Sequence, residues 1–178
     1  MKLLAFAATN HKASINKQLV TYAANLVAEN KGAEVEILDL NDYELPLYSI
    51  ERQMENGMHP LAQQFFDKIG AADAVIISFA EHNGSYAAVY KNLFDWTSRI
   101  DMKVYQNKPT VLLATSPGPG GASSVLASAV GSADFFAMDL KGSLSVPTFN
   151  DNFDTDKGVL VNEELVEKLK DILSGLSE

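Results

Sequence analysis

Ala74-Val75-Ile76-Ile77-Ser78-Phe79, running into Ala80-Glu81-His82-Asn83-Gly84-Ser85-Tyr86, is the stretch from which the fold can be read. The first part is a short apolar run without charge, the pattern of a strand buried on both faces. Such strands belong to parallel sheets, in which crossover helices cover each side. Downstream, residues 81–85 read as a polar loop and a helix follows over about 86–100. Upstream, Pro60 opens a helix at a position where a missing amide costs nothing. Leu61, Phe65, Phe66 and Ile69 give that helix an apolar face.

The same alternation extends to both ends. Lys2 to Ala8 reads as a first strand and Ser14 to Asn30 as a helix, with Leu19, Ala23, Leu26 and Val27 on one stripe and Lys31-Gly32 as its stop. Glu34 to Leu40 is a second strand. A loop rich in Asn, Asp, Pro and Tyr fills Asn41 to about His59. Pro109 to Thr115 is a fourth strand, and Pro117-Gly118-Pro119-Gly120-Gly121 cannot be regular structure. A helix over about Ala122 to Phe135, a short strand over Met138 to Ser143, an irregular stretch to Gly158 and a helix over Asn162 to Leu173 complete the pattern. Alternating strands and helices with right-handed crossovers predict an α/β domain over residues 1–178, a doubly wound parallel sheet with helices on both faces. Ligands in such sheets sit outside the carboxyl ends of the strands, where strand order reverses. Loops 9–16, 80–86 and 115–121 are therefore expected to carry the function.

Composition narrows the partners. The chain has 178 residues, is 47% apolar and carries a formal net charge of −9. That charge argues against nucleic acid and against an anionic membrane surface, since both need clustered Lys and Arg. One small phosphate remains compatible, held by backbone amides at a helix N-terminus. There is no cysteine, which excludes disulfides, thiolate metal sites and a Cys nucleophile. Asp151, Asp154 and Asp156 lack the Gly and terminal Glu of a calcium loop and read as an acidic surface; no metal is expected. The apolar start, Leu3 to Ala8, is too short to span a membrane. A cytoplasmic protein is expected.

Each loop has a ligand reading and an ordinary one. Thr9-Asn10-His11-Lys12-Ala13-Ser14-Ile15-Asn16 places hydroxyls, an amide and cationic groups at a helix N-terminus, a natural phosphate seat. Its alternative is plain capping by Ser14. It matches neither the Walker A loop nor the glycine fingerprint of dinucleotide folds. Gly84 lets the main chain approach a flat ring. Gly118 and its neighbours can present bare amides, or can serve a surface turn alone.

Residues 80–96 resemble the P-E-Y-N-x-S-x-P-x-x-L-K-N-x-x-D-W signature of NADPH-dependent FMN reductases, relatives of quinone, chromate and azo-dye reductases. Glu81, Asn83, Ser85, Lys91, Asn92, Asp95 and Trp96 carry the likeness; Ala80 and His82 depart from it, and alanine replaces the second Pro. Loop three is similar to S-P-G-G-x-G-G through Ser116, Pro117, Gly118, Gly120 and Gly121. Loop one is similar to G-S-x-R-x-x-S-x-N through Thr9, Ser14 and Asn16, with His11 where Arg is usual. Asp39-Leu40 and Leu45-Pro46-Leu47-Tyr48 resemble the family's D-L-x-x-L-P-L-Y.

The resemblance implies a flavodoxin-like five-stranded sheet of order 2-1-3-4-5. It implies FMN held by Thr9, His11, Ser14, Ile15 and Asn16 at the phosphate, by Glu81, His82, Asn83 and Gly84 along the pyrimidine edge and ribityl chain, and by Ser116, Pro117 and Gly118. NAD(P)H is the implied donor and a quinone, flavin or similar small molecule the acceptor. No side chain is needed as general acid or base, so no catalytic residue is assigned. Histidine is cationic only below about 6.5, so FMN affinity is expected to weaken with rising pH if His11 holds the phosphate. His59 is expected at the surface. Lys91, Asn92, Asp95 and Trp96 are expected to be structural, capping their helix or packing an interface. A homodimer or homotetramer is implied, with Tyr90, Phe94 and Trp96 near the boundary. Two other readings remain: a flavodoxin-type electron carrier, whose T-x-T-G-x-T loop is missing here, and a binding domain without flavin.

Overall fold

The computed structural model describes residues 1–177; the expected domain end, Glu178, lies outside the described residues. Five parallel strands form the main sheet: β1 (Lys2–Ala8), β2 (Glu34–Leu38), β3 (Ala74–Phe79), β4 (Lys108–Thr115) and β5 (Met138–Val146). Their order is β2-β1-β3-β4-β5, as the sequence implies. Strand order reverses between β1 and β3, so the loops leaving β1, β3 and β4 emerge side by side.

Side-chain alternation along each strand builds two cores. Leu3, Ala5, Ala7, Ile76, Val111 and Leu113 face α1 (Ile15–Lys31) and, toward the end of the chain, a long amphipathic helix over Glu163–Ser174. α1 answers with Leu19, Val20, Ala23, Ala24 and Val27, small enough to let the helix lie close. Leu4, Phe6, Ile77, Phe79 and Leu112 face the other way. They pack on α3 (Pro60–Ala71), α4 (Ala88–Thr97) and α5 (Ser123–Ser132), while α2 (Ile50–Asn56) has no residue in this core. The terminal helix, Glu163–Ser174, is α6.

Four local features depart from the sequence reading. Residues 41–59 are not all loop: Ser49 caps α2, accepting from the Arg52 amide at 3.2 Å. No α2 residue is buried, so no apolar period betrayed it. His59 is half-buried rather than on the surface. Its Nδ1 accepts from the Leu61 amide at 3.2 Å to cap α3, and its ring lies 6.0 Å from that of Trp96. β5 continues past Ser143 to Val146. Within it, a Cβ on Gly142 would collide with Ile172 of α6. The irregular stretch after β5 contains a small hairpin that pairs Phe153–Asp154 with Val159–Leu160.

Candidate functional site

Asn16 ties the three strand ends together. Its side chain is buried at the first turn of α1. Nδ2 donates to the Thr115 carbonyl at 3.1 Å, and Oδ1 accepts from the Thr115 amide at 3.1 Å and the Ser78 hydroxyl at 2.8 Å. One amide thus joins α1 to the ends of β3 and β4. Committed to protein partners, it positions the loops and is not aimed at a phosphate.

Loop one wraps over this brace. Thr9 and Ser14 are buried, while Asn10, His11 and Lys12 are exposed. Thr9 Oγ1 accepts from the His11 amide at 3.2 Å. Ser14 Oγ accepts from the Asn16 and Lys17 amides at 3.1 and 3.3 Å, capping α1. Both hydroxyls therefore keep their own protons for a further acceptor. Ile15 stands at the first position of α1, where a helix leaves its amide without an intrahelical partner. Lys17, one turn in, is turned away from the loop: it pairs with Asp39 at 2.7 Å. The Lys17 bond first, then bonds from Asn41, hold the Asp39 carboxyl down at about 2.

Loop two is a tight hairpin, not an open loop. Glu81–His82 pairs antiparallel with Ser85–Tyr86. Asn83 (φ 53°) and Gly84 (φ 75°) form the turn. Asn-Gly with both residues in the left-handed region is the strongest short hairpin signal a sequence can carry, but residues 81–85 were expected to be an open loop. The hairpin is anchored by Glu81, whose Oε2 accepts from the Val125 amide at 2.9 Å. That amide belongs to the first turn of α5, whose cap residue Ala122 offers no side-chain bond. A carboxylate forty-four positions away does the capping instead.

Loop three is fastened by its backbone. The Gly118 carbonyl accepts from the Thr148 amide at 2.9 Å and from Ser116 Oγ at 3.3 Å; the Ser116 carbonyl accepts from the Phe149 amide at 3.1 Å. Its glycines differ in kind. A Cβ on Gly118 or Gly120 would meet nothing, as would one on Gly84. A Cβ on Gly121 would collide with Ser145 Oγ and Pro147. Gly121 is thus a packing residue. Gly84, Gly118 and Gly120 leave bare backbone facing open space. At these positions no side chain would keep a flat molecule from the main chain. Ala122, next in line, is held at φ 57°, an unfavourable conformation for a residue with a Cβ.

A helix N-terminus with two free hydroxyl protons, set beside a bare glycine-lined edge, fits a phosphorylated flat ring. Residues 1–151 match the model of the family described as NADPH-dependent FMN reductase. The chain belongs to that family. This reductase is 29% identical to an NADPH:quinone oxidoreductase of Arabidopsis thaliana over 185 residues, covering 99% of this chain and 90% of the relative. An NAD(P)H-dependent FMN reductase of Pseudomonas aeruginosa is 32% identical over 121 residues, 68% of this chain and 63% of that protein. Among solved structures, the flavoenzyme NAD(P)H:acceptor oxidoreductase of Paracoccus denitrificans shares the fold. It superposes with a TM-score of 0.71 at 21% identity, over 99% of this chain and 97% of the other. The reductase's activity is FMN-dependent NAD(P)H oxidoreduction.

The family's helix signature does structural work in the reductase. Lys91 and Asp95 form an exposed pair one turn apart at 2.7 Å. Asn92 Oδ1 accepts from the Tyr48 amide at 2.8 Å, and its Nδ2 donates to the Leu45 and Pro46 carbonyls at 3.1 and 3.2 Å. Trp96 Nε1 donates to the Pro46 carbonyl at 2.8 Å. None of these four caps α4, whose cap residue Ala87 makes no side-chain bond. Instead, Asn92 and Trp96 pin residues 45–48, the stretch that also resembles the family, so the two motifs are one device. The sequence reading missed Thr115, Ser78 and Val125 as partners of the site. They are polar or backbone groups at strand and helix ends, where only the fold reveals the pairing.

Proposed function

We propose that residues 1–178 act as one FMN-binding domain in which the strand-end loops grip the cofactor and present it to a small quinone. The FMN phosphate is received at the α1 N-terminus by the Thr9 and Ser14 hydroxyls, the Ile15 amide and the His11 side chain. The hairpin of Glu81, His82, Asn83 and Gly84 and the turn of Ser116, Pro117 and Gly118 line the ring. Asn16 and Glu81 act behind the contact surface, holding the loops in place. When bound, the flavin supplies two-electron chemistry, accepting a hydride from NAD(P)H and releasing electrons to an acceptor. The chain's own part is to bind, to orient and to keep the ring edge near neutral hydrogen-bond donors. The observation that carries this reading is the open glycine backbone beside an N-terminal helix turn whose hydroxyl protons have no other use.

A quinone acceptor is supported by the Arabidopsis thaliana relative, an NADPH:quinone oxidoreductase. An apolar patch supports assembly as a homodimer or homotetramer. Leu47, Ile50 and Met54 are 73%, 57% and 80% exposed on a segment fixed by Asn92 and Trp96. Among the described residues no helix is long and apolar enough to cross a membrane; we place the reductase in the cytoplasm, where NAD(P)H is supplied.

The test is anaerobic. FMN-loaded protein should lose its yellow colour on addition of NADH or NADPH alone, and regain it with a benzoquinone. Bleaching that required a separate reductase would favour an electron carrier and contradict this proposal.

A further inference from the structure

A second concave region lies on the aromatic face of the sheet, between α4 and α5, with a volume of about 430 Å³. It exists because the two helices present unlike surfaces. α4 offers the rings of Tyr90 and Phe94, while α5 offers Ala129 and then Ala133 just past its end. Small side chains opposite large flat ones leave space, and this space is of the size that small-molecule sites occupy, roughly 300–1,000 Å³. Its walls are aromatic: Phe94 and Phe136 meet edge to face at 4.6 Å, and Tyr90 and Phe94 stack at 5.8 Å. Tyr86, from the hairpin, bounds it as well.

Two polar features select the occupant. Arg99 lines the groove, exposed, and its guanidinium makes no hydrogen bond or ion pair among the described residues. The neighbouring cation, Lys91, is already neutralised by Asp95. In a chain of net charge −9, an unpaired guanidinium beside stacked rings is a specific provision for a carboxylate or sulfonate. Deeper in, the Tyr90 and Tyr105 hydroxyls bond to each other. One proton lies between the two oxygens and the other is free to donate. Burial pushes both phenols up, so both stay neutral donors.

We propose that this groove is a second small-molecule site, separate from the flavin cradle, that binds a planar aromatic anion. The rings take its flat face, Arg99 takes its charge, and the spare phenol proton serves an oxygen on the ring. The inference does not depend on what the strand-end loops hold.

The experiment is calorimetric titration of FMN-saturated protein with naphthalene-2-sulfonate, a redox-inert probe. One equivalent should bind per chain. Arg99→Glu should weaken it about fivefold to tenfold, the size of a partly exposed charge effect. The same variant should leave binding of uncharged 2-naphthalenemethanol unaltered. Ala129→Leu, which fills the groove, should abolish binding of both probes, and Arg99→Glu decides alone if that variant fails to fold. Absence of heat at millimolar probe overturns the proposal. So does binding that neither variant alters, which would put the probe elsewhere, over the flavin included. Absence of binding, together with an oligomer that Arg99→Glu dissociates in sedimentation, would show that a second copy of the chain fills the groove.

Discussion

Two of the strand-end loops are held by different physics. At the start of α1 the brace is Asn16, a neutral buried amide with three protein bonds linking α1, β3 and β4. At the hairpin it is Glu81, a half-buried charge with one bond to the first turn of α5. The first is a closed network whose loss would strand polar groups in the interior. The second is a helix cap that water can partly replace. Both residues belong to stretches that resemble the family's ligand motifs, and both act on the protein. The contrast shows that residues of a ligand motif can be committed wholly to holding the backbone of their own loops.

The comparison can be broken most directly at Asn16. Asn16→Ala leaves the Ser78 hydroxyl and both main-chain groups of Thr115 without partners in the interior. It should cost about 2–4 kcal/mol in urea unfolding, with FMN affinity falling alongside. A loss below about 1 kcal/mol would mean that the network is not what holds the strand ends. Glu81→Ala should cost less, about 1 kcal/mol, the usual size of a lost cap. Glu81→Gln should recover part of this, because an amide oxygen still accepts from Val125 while the favourable charge at the helix end is gone. Equal effects of Asn16→Ala and Glu81→Ala would erase the distinction between the two braces.

A third substitution runs in the opposite direction. Ala122 sits beside Gly121 at φ 57°. Ala122→Gly should stabilise the protein by up to about 1 kcal/mol in thermal or urea melts, relief from the left-handed strain being partly offset by the greater freedom of glycine when unfolded. The smallest effect belongs to Asp39, whose partner Lys17 follows the Ser14 cap. Its carboxyl is lowered from 3.8 to about 2 in the folded protein, so its contribution is present above pH ~4 and lost as pH falls toward ~2. The pair is substantially exposed, so Asp39→Asn should cost less than about 1 kcal/mol at pH 7. The gap between variant and wild type should close in acid melts.

Sequence carried the sheet because its central strands are apolar without interruption. Residues 74–79 and 109–115 read as buried strands, and the strand order followed from the family likeness. It carried the positions of the three loops, since a polar run follows the first strand and Gly or Pro-Gly breaks the pattern after the third and fourth. It did not carry α2, which buries nothing, or the full length of β5, whose burial does not alternate cleanly. Within the site, Ser14 was legible as a cap, and Asn83-Gly84 held a hairpin signal that went unread. The partners of Asn16 and Glu81 were out of reach. They lie up to ninety-nine positions away, and long-range bonds to main-chain groups leave no trace in residue type.

The central claim is that the strand-end loops recognise a phosphorylated flavin through the N-terminus of α1. Calorimetric titration of flavin-free protein with FMN, beside riboflavin, tests it most directly. The account predicts one FMN bound per chain and riboflavin, which lacks the phosphate, bound at least about tenfold more weakly. Equal affinity for the two, or no binding of FMN, would contradict it.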